Sequence, residues 1–572
     1  MNPFTVTRVL RRRDQLRSRF TPWHTHWQRI AEWIFTRKAS FTMTVSEGEF
    51  LDRDMFDMTG PMALDVSSSA FIGMLWPNAA ESFDIVPGDD LKDDPEAQDY
   101  FAKVTEIMVE AMDDPAAGLA SALSEYGKEL MAFGNGAVCV EPGTQESKLR
   151  FSSRSLQGLL FDEGTPGRID VIFDHLPYTV EQAVRMYGLA SVHENVRKAY
   201  NRGQFEDRLE LMHAVMPRPE EMRTSPAKAS KQNMPYISLH IDVGNKHIMR
   251  EDGFYEPPLI VGRMERYAKE VPGRGPGSRA LPEIVKANNM AEAITLAAEK
   301  KLDPAMYVYS DMRNTVIDTS PGAVNVFRPK GQVANNAPAG TLFDVGSMSE
   351  AVQLYEMTQG NIKQHFYLDR LLDLNSDRQM TAYETFERKI IRSQTLKDPA
   401  TRQYGEFYTP LLIRTFNLLW RGGHLGSMPG APDYEATLAA GGFTVPAQVA
   451  EMHQRGNFNA WKIRYKTPAM REMKLQSVQN NMQFINYTAL AAQALQNQEL
   501  LSLPDGQEIL RNVAEGLGVI PKGVRTRKAI KDGQAQAAAS AQQQQALAMA
   551  AQAGEQLGPT GKILENATRQ TA

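Results

Sequence analysis

A chain of 572 residues with 42% hydrophobic content is long enough to bury several cores, and its length alone suggests roughly three or four domains. Its formal net charge of −5 supplies no basic excess of the kind that grips nucleic-acid phosphates tightly. A single cysteine, Cys139, excludes an internal disulfide and a cysteine-based metal site and fits a reducing compartment.

The opening MNPFTVTRVLRRRDQLRSRF has basic residues but no apolar core behind them, so it does not read as a signal peptide. No run approaches the roughly 18 apolar residues of a membrane span, and the nearest, 410–420, carries Arg414. Residues 8–37 read as helix, with Leu16, Phe20, Trp23, Trp27, Ile30 and Ile34 in one apolar stripe. Thr21-Pro22 suits an N-cap and first-turn proline, which leaves open one helix or two consecutive ones. The arginines at 8, 11, 12, 13, 17 and 19 fit a solvated helix face better than a nucleic-acid patch. Further helices are predicted over 59–75, stopped by Trp76-Pro77-Asn78, and over 95–114 and 116–133, the last ended by Gly134-Asn135-Gly136.

Strand signals then take over. GAVCVEP, KLRFSS and RIDVIFD are short, rich in β-branched and aromatic residues, and separated by turns. Thr179-x-x-Gln182 is a capping box for a short helix to Tyr187. In YISLHIDVGNKHIMRE, Ile237, Leu239, Ile241 and Val243 alternate, and Gly244-Asn245 predicts a tight turn. Residues 218–232 are polar and read as an exposed loop. The region 137–265 is thus a mixed sheet module inserted between helical parts.

PGRGPGSRALPEIVKANNMAEAITLAAEKKLDP follows. Its elbow, Gly273, Arg274, Gly275, Pro276 and Gly277, feeds a helix predicted over 281–302, about 33 Å long. Ile284, Ala287, Ala291, Ile294 and Ala298 form a narrow packing seam at coiled-coil spacing, and its alanines permit close approach of a neighbouring helix. Residues 305–346 switch to strand and loop, with NTVIDT and AVNVF predicted as a hairpin around Ser320-Pro321-Gly322. Ser347-x-x-Glu350 predicts a capping box for the next helix, whose stripe is Val352, Tyr355, Gln359, Ile362 and Phe366. Asn375-Ser376-Asp377 breaks the chain. In the long helical run beyond it, Asp398-Pro399 predicts a restart, Pro410 a kink and Gly422-Gly423 an end. Residues 489–502 keep a helical pattern, and from Gly533 an Ala/Gln-rich tract is either polar helix or disordered. The fold class is α+β, predominantly helical.

Catalytic signatures are missing. Gly561-Lys562 is followed by Ile563 and lacks the first glycine of a phosphate-cradling loop, so the chain is not expected to hydrolyse ATP. Prolines interrupt Gly273-x-Gly275-x-Gly277, which reads as a structural corner and not a dinucleotide fingerprint. His24 and His26, two apart, fall on different helix faces, which argues against a shared metal. Asp89-Asp90, Asp93-Asp94 and Asp113-Asp114 can serve acid/base or metal chemistry, but they sit at turns where carboxylates cap helices. No cofactor and no metal are expected.

Three segments, in this order and spacing, resemble the portal (head-to-tail connector) proteins of short-tailed bacteriophages over about residues 8–485. They are DRDMFDMTGPMALDVSSSAFIGMLWPNAAESFDIVP, then PGRGPGSRALPEI with NNM after it, then QMTAYETFERKI with EFYTPLLIRTFNLLWRGG. Val271-Pro272 stands where the family is expected to favour an aromatic-glycine pair, which leaves the form of the elbow's turn open. The resemblance implies a portal fold of wing, stem, clip and crown, assembled as a ring of typically twelve subunits. It assigns 1–279 and 381–480 to the wing, 281–302 and 347–368 to the stem helices, and 305–346 to the clip. A loop at 369–380 faces the tunnel, and 481–572 forms crown-like helices and tail. It further implies a channel for double-stranded DNA in packaging and ejection, with Lys363, Arg370 and Arg378 as candidate channel cations. Implied partners are the terminase large subunit, then tail adaptor or nozzle proteins, with major capsid and scaffolding proteins around the ring. The place is the virion, and the host cytoplasm during assembly, with no membrane. The residues by themselves leave two rivals open: a multidomain nucleic-acid-processing enzyme using the acidic pairs, and a monomeric scaffold.

Overall fold

The computed structural model describes residues 4–494, apart from 37–39, 44, 45, 47, 49–53, 93, 145, 166, 224–230, 310–316, 328–338, 343–345, 373–381, 432, 433, 440–442 and 455–459, together with Ile509. The chain divides into two compact units, 1–470 and 471–572, where length suggested three or four domains. The first unit is large because distant segments close on one another. Strand Phe83–Pro87 pairs antiparallel with Trp461–Tyr465, and Asp84 accepts from Arg464 and Lys466, each at 2.8 Å. Burial pushes the Asp84 carboxyl up, but the two cations outweigh it and hold it below its usual range.

The N-terminal helix is one piece, Val6–Trp33, with Pro22 inside it. The break that Thr21-Pro22 allowed does not form because buried residues stand on both sides of the proline, Leu16 and Phe20 before it and Trp27 and Ile30 after it. Keeping that stripe in register outweighs one lost backbone hydrogen bond. Thr21 does not cap; its hydroxyl bonds back to the Arg17 carbonyl. Trp27, Phe41 and Phe133 form an aromatic cluster that ties this helix to Leu119–Phe133. Helices Thr59–Leu75 and Pro95–Asp113 lie where the sequence places them.

The inserted module holds two sheets. One is three-stranded, with Asn135–Pro142 between Leu149–Ser153 and Leu259–Arg263. The other is a five-stranded antiparallel meander of Leu159–Thr165, Arg168–Thr179, Arg208–Pro217, Tyr236–Asp242 and His247–Phe254. Helices Val180–Tyr187 and Glu194–Asn201 cover the face bearing Leu211, and the first opens with the expected Thr179/Gln182 capping box. The N-terminal helix approaches the opposite face, where Arg13 reaches Glu210 and Arg12 reaches Met216. Arg218, in the loop expected to be exposed, is buried and donates to the Lys231 carbonyl at 3.0 Å. Across the meander, Asp174, His213, His240 and Arg250 stand opposite one another in a row. His213 stacks on His240 at 4.3 Å, and burial disfavours both imidazoliums, pushing His240 down to about 4. Burial also pushes Asp174 up to about 6, against the pull of Arg154 at 3.5 Å.

Helix Ala382–Gln403 runs through Pro399 without the expected restart, because Leu396 and Ala400 beside the proline are buried. The interruption comes later, as a π-helical turn at Tyr404–Tyr408, and Pro410 sits in the first turn of the next helix, Thr409–Arg421. The wide turn brings three aromatics into the core. Phe407 stacks on Tyr126 at 3.9 Å and Tyr408 on Trp76 at 5.1 Å, while Tyr404 bonds the Thr467 hydroxyl. Gly422-Gly423 ends the run as expected, Gly423 with φ of 73°.

The helix expected over 281–302 spans Pro276–Leu302, so the second half of the elbow is already helical. After it, a small sheet has the order Val324–Phe327, Met306–Tyr309, Ala339–Thr341. Among the described residues the expected hairpin is not made: Val324–Phe327 pairs in parallel with Met306–Tyr309, and residues 317–319 carry no strand. Asn325 takes the ladder's place, accepting from the Asp318 amide at 2.7 Å and donating to its carbonyl at 2.6 Å. Residues 314–316 of that expected hairpin lie outside the described residues. The Ser347 capping box is also absent. The next helix is Ser349–His365, preceded by Met348, and the Ser347 hydroxyl faces Ser349 at 2.9 Å. Helix Pro468–Ala494 is the last described element, and the Ala/Gln-rich tract lies outside the described residues.

Candidate functional site

The elbow is a corner of backbone packed on backbone. Helix Leu119–Phe133 ends at Gly134, whose φ of 84° glycine adopts without strain. Asn135 clamps the elbow: its Oδ1 accepts from the Gly273 amide at 2.7 Å, and its Nδ2 donates to the Gly273 carbonyl at 3.0 Å. Glu265 and Arg274 exchange both of their backbone hydrogen bonds. The elbow glycines serve close approach. A Cβ on Gly273 would lie 2.7 Å from the Gly134 carbonyl oxygen, one on Gly275 2.7 Å from the Gly134 amide nitrogen, and one on Gly277 would press on the Ala132 carbonyl. Protein backbone therefore fills the space a phosphate would need. Pro276 takes the first turn of the helix, where its missing N–H breaks no bond. The Arg274 guanidinium pairs with Glu270 at 2.7 Å and lies over the Trp23 ring at 4.9 Å.

Beside the elbow, Arg263 is wholly buried and joins regions far apart in sequence. Its Nε and Nη2 donate to the two Glu406 carboxylate oxygens at 2.8 and 3.0 Å, and its Nη1 donates to Glu163 at 2.7 Å and to the Val271 carbonyl at 3.0 Å. The Arg263 carbonyl accepts from Gln403 at 2.8 Å, and Gln403 in turn accepts from the Tyr126 hydroxyl at 2.5 Å. Burial pushes the Glu163 carboxyl up, but Arg263, the Gly167 amide and Arg266 outweigh it and hold it low. The inserted sheet, the approach to the elbow and the π turn thus meet on one guanidinium. Sequence reading passes over it, because a lone arginine at a strand end has no periodic signature. Asn288 is missed for the same reason: buried in helix Pro276–Leu302, it accepts from the Phe56 and Asp57 amides at 2.7 and 3.2 Å.

Helices Pro276–Leu302 and Ser349–His365 pack side by side and antiparallel. Arg279 donates to the Tyr367 hydroxyl at 2.5 Å at one end, and Lys301 to the Gly346 carbonyl at 3.1 Å at the other. The seam divides along its length. Ile284, Ala287 and Ala291 are buried within the chain, and Ile284 lies so near helix Thr59–Leu75 that a Cβ on Gly60 would be 2.8 Å from its Cδ1. Ile294 and Ala298, further along, are half-buried. On the second helix Ile362 and Phe366 are buried, Tyr355 and Gln359 half-buried, and Val352 exposed. Lys363 is exposed in that helix's last turn. Arg370 is exposed but engaged, donating to the Thr395 hydroxyl at 2.8 Å beside Asp369 at 3.8 Å. Arg378 lies outside the described residues.

Four of the six aspartates in the acidic pairs are spent on caps or an ion pair. Asp94 accepts from the Glu96 amide at 3.0 Å, Asp113 from Ala79 at 3.0 Å and Asp114 from Ala116 at 2.9 Å, while Asp89 pairs with Lys462 at 2.6 Å. Asp93 lies outside the described residues. His24 packs among Phe20, Trp27 and Phe41, and His26 meets the Ser278 hydroxyl at 3.1 Å. Among the described residues, no group of three or more His, Cys, Asp or Glu is placed to hold a metal ion, and no helix is long and apolar enough to cross a membrane. Cys139 is buried in the middle strand of the three-stranded sheet, and burial pushes its thiol up to about 12.

The model of one protein family, described as bacteriophage head to tail connecting protein, matches residues 6–524. A probable portal protein of Bordetella phage BPP-1 is 25% identical over 415 residues, spanning 71% of this chain and 73% of that protein. A portal protein of Salmonella phage epsilon15 is 23% identical over 442 residues, spanning 74% of this chain and 76% of that protein. Among solved structures, a chain of the virion of a native gene transfer agent particle aligns at 12% identity with a TM-score of 0.29, covering 73% of this chain and 100% of that one, a likeness too slight to bear on the fold.

Proposed function

The chain belongs to the bacteriophage head to tail connecting protein family, and on that premise we propose that identical copies close into a ring that conducts double-stranded DNA at one capsid vertex. As a portal protein it is a virion component and a structural connector, not an enzyme. Of the acidic pairs of the rival enzyme reading, Asp89, Asp94, Asp113 and Asp114 are occupied as helix caps or in an ion pair.

The observation that carries the ring reading is a contrast along the antiparallel helix pair. Its elbow end is buried in its own chain through Ile284, Ala287 and Ile362. Past its midpoint it leaves Leu354, Leu296 and Leu302 exposed at 46, 46 and 87%. Exposed large apolar side chains on a helix pair that is otherwise packed mark a contact with another surface. In this reading the stem is Pro276–Leu302 with Ser349–His365, and the small sheet between them is the clip. The wing comprises the chain before the elbow and the long π-interrupted helix, and the C-terminal unit is the crown.

The dimensions agree with passage of a duplex. Packed helices sit about 8–10 Å apart, so one stem helix from each of twelve copies, lining the bore, places the innermost axes about 15–19 Å from the centre. Subtracting a helix radius of about 5–6 Å leaves a bore of about 10–14 Å radius, against a duplex radius near 10 Å. A wall without basic excess lets DNA slide, because dense cations would hold phosphates. Lys363 is the described cation best placed to touch it; Arg370 is engaged by Thr395. Terminase large subunit and then tail adaptor or nozzle proteins dock at the clip, capsid and scaffolding proteins surround the wing, and assembly takes place in the host cytoplasm. Native mass measurement of the purified full chain tests the ring: a closed species of around a dozen copies supports it, and a monomer at every concentration overturns it.

A further inference from the structure

We propose that successive copies in the ring are joined head-to-tail by Leu296 of one stem inserting into a four-residue hole, Ser349, Val352, Gln353 and Glu356, on the stem of the next. This rests on the ring reading above and specifies its contact. In the first stem helix, Arg279 and Lys301 reach toward the second helix and Ile284 toward helix Thr59–Leu75. At about 100° per residue, Leu296 lies roughly 100–140° round the axis from all three, on the helix's free side. In the second helix, Thr358 and Ile362 are buried. Ser349, Val352, Gln353 and Glu356 are all exposed and centre about 130–170° away from those two. Knob and hole therefore sit on opposite flanks of one helix pair, where a single chain cannot bring them together.

Their heights also match. The two end contacts, Arg279 with Tyr367 and Lys301 with Gly346, set the antiparallel register, which places position 296 level with about position 350. Side chains on a helix lean toward its own N-terminus, and in antiparallel helices the two leans close the remaining offset. Rotation about an axis along the pair preserves height, so each copy presents its knob level with the next copy's hole. The spacing i, i+3, i+4, i+7 is that of a coiled-coil hole. A knob and a hole on different flanks cannot satisfy a two-fold dimer with one contact, but they propagate around a ring. A second copy is the occupant, because the chain is an oligomeric connector and carries both halves of the contact itself. The rim sets Glu292 toward Glu356, so added salt should tighten the joint by screening their repulsion.

The test is cysteine cross-linking in assembled full-length rings. Cys139 is buried with its thiol pushed up to about 12, so it gives little background reaction. Leu296→Cys combined with Gln353→Cys should move most of the chain, on mild oxidation or with a short bismaleimide, from monomer into a ladder of covalent multimers. Each single variant should stay monomeric under the same treatment. Covalent dimers from either single variant, intact rings of the double variant without a ladder, or rings loosened by salt would overturn this contact while leaving the ring reading standing. Absence of rings from the unaltered chain would instead remove the ring reading and this contact with it.

Discussion

Replacing Arg263 with leucine tests how the inserted sheet, the elbow and the π turn are held together. The change keeps apolar bulk and removes a guanidinium that makes four hydrogen bonds of 3.0 Å or less to Glu406, Glu163 and Val271. It leaves Glu163 and Glu406, with side chains 13 and 20% exposed, without that partner. Breaking a buried pair from one side costs about 3–5 kcal/mol. Arg266 still reaches Glu163 and Arg402 still reaches Glu406, each at 3.1 Å, which brings the expected loss to the lower end, about 3 kcal/mol. Glu406→Gln in the same chain removes one stranded charge, so the double variant should lose less than the two single losses added, by about 1–2 kcal/mol. Denaturant unfolding followed by tryptophan fluorescence reads each value. An Arg263→Leu loss below about 1 kcal/mol, or strict additivity with Glu406→Gln, would mean that this guanidinium does not hold the three segments together.

Other consequences are as direct. Gly275→Ala meets only backbone, with the new Cβ 2.7 Å from the Gly134 nitrogen and 2.9 Å from the Leu130 carbonyl oxygen, so it should cost about 1–3 kcal/mol in thermal unfolding. Gly360→Ala meets nothing within 4 Å in a helix and should gain up to about 1 kcal/mol; equal effects at the two sites would contradict the corner. Asp174, pushed up to about 6 by burial, is costly to ionise in the fold, so its penalty grows as pH rises from about 4 to 6 and stays above that. Asp174→Asn should therefore stabilise by up to roughly 2 kcal/mol at about pH 8, less what the lost Arg154 pairing contributes, and gain nothing below about pH 4. The same stability change at both pH values would reject this assignment. Lys363→Ala should leave assembly intact and alter retention of packaged DNA, and unchanged retention would take it out of the channel.

The sequence made legible those elements whose residues carry their own period or cap. The alternation from Ile237 to Ile241, the Thr179/Gln182 box and the Gly422-Gly423 stop are all local, and each is present. Prolines misled, because Pro22 and Pro399 are overruled by buried neighbours that no local rule weighs. The π turn was invisible for a related reason: Phe407 and Tyr408 need partners more than 270 residues upstream, Tyr126 and Trp76, and Tyr404 needs Thr467 from a later segment. The small sheet's register depends on Asn325 binding the Asp318 backbone, a side-chain choice that competes with a hairpin no less plausible in sequence. At the candidate site, the elbow glycines were legible as a corner, but their partner, Gly134-Asn135, ends a helix well over a hundred residues earlier. Of the seam read from alanine spacing, Ile284, Ala287 and Ala291 are buried in the chain's own core, where Gly60 receives Ile284.

An end-on electron-microscopy projection of the purified full-length protein tests the connector account most directly. The account predicts a closed ring of around a dozen copies, with paired helices nearest the axis and a central hole about 10–14 Å in radius. Compact single particles without a hole, or a ring in which Pro276–Leu302 and Ser349–His365 lie at the outer edge, would contradict it.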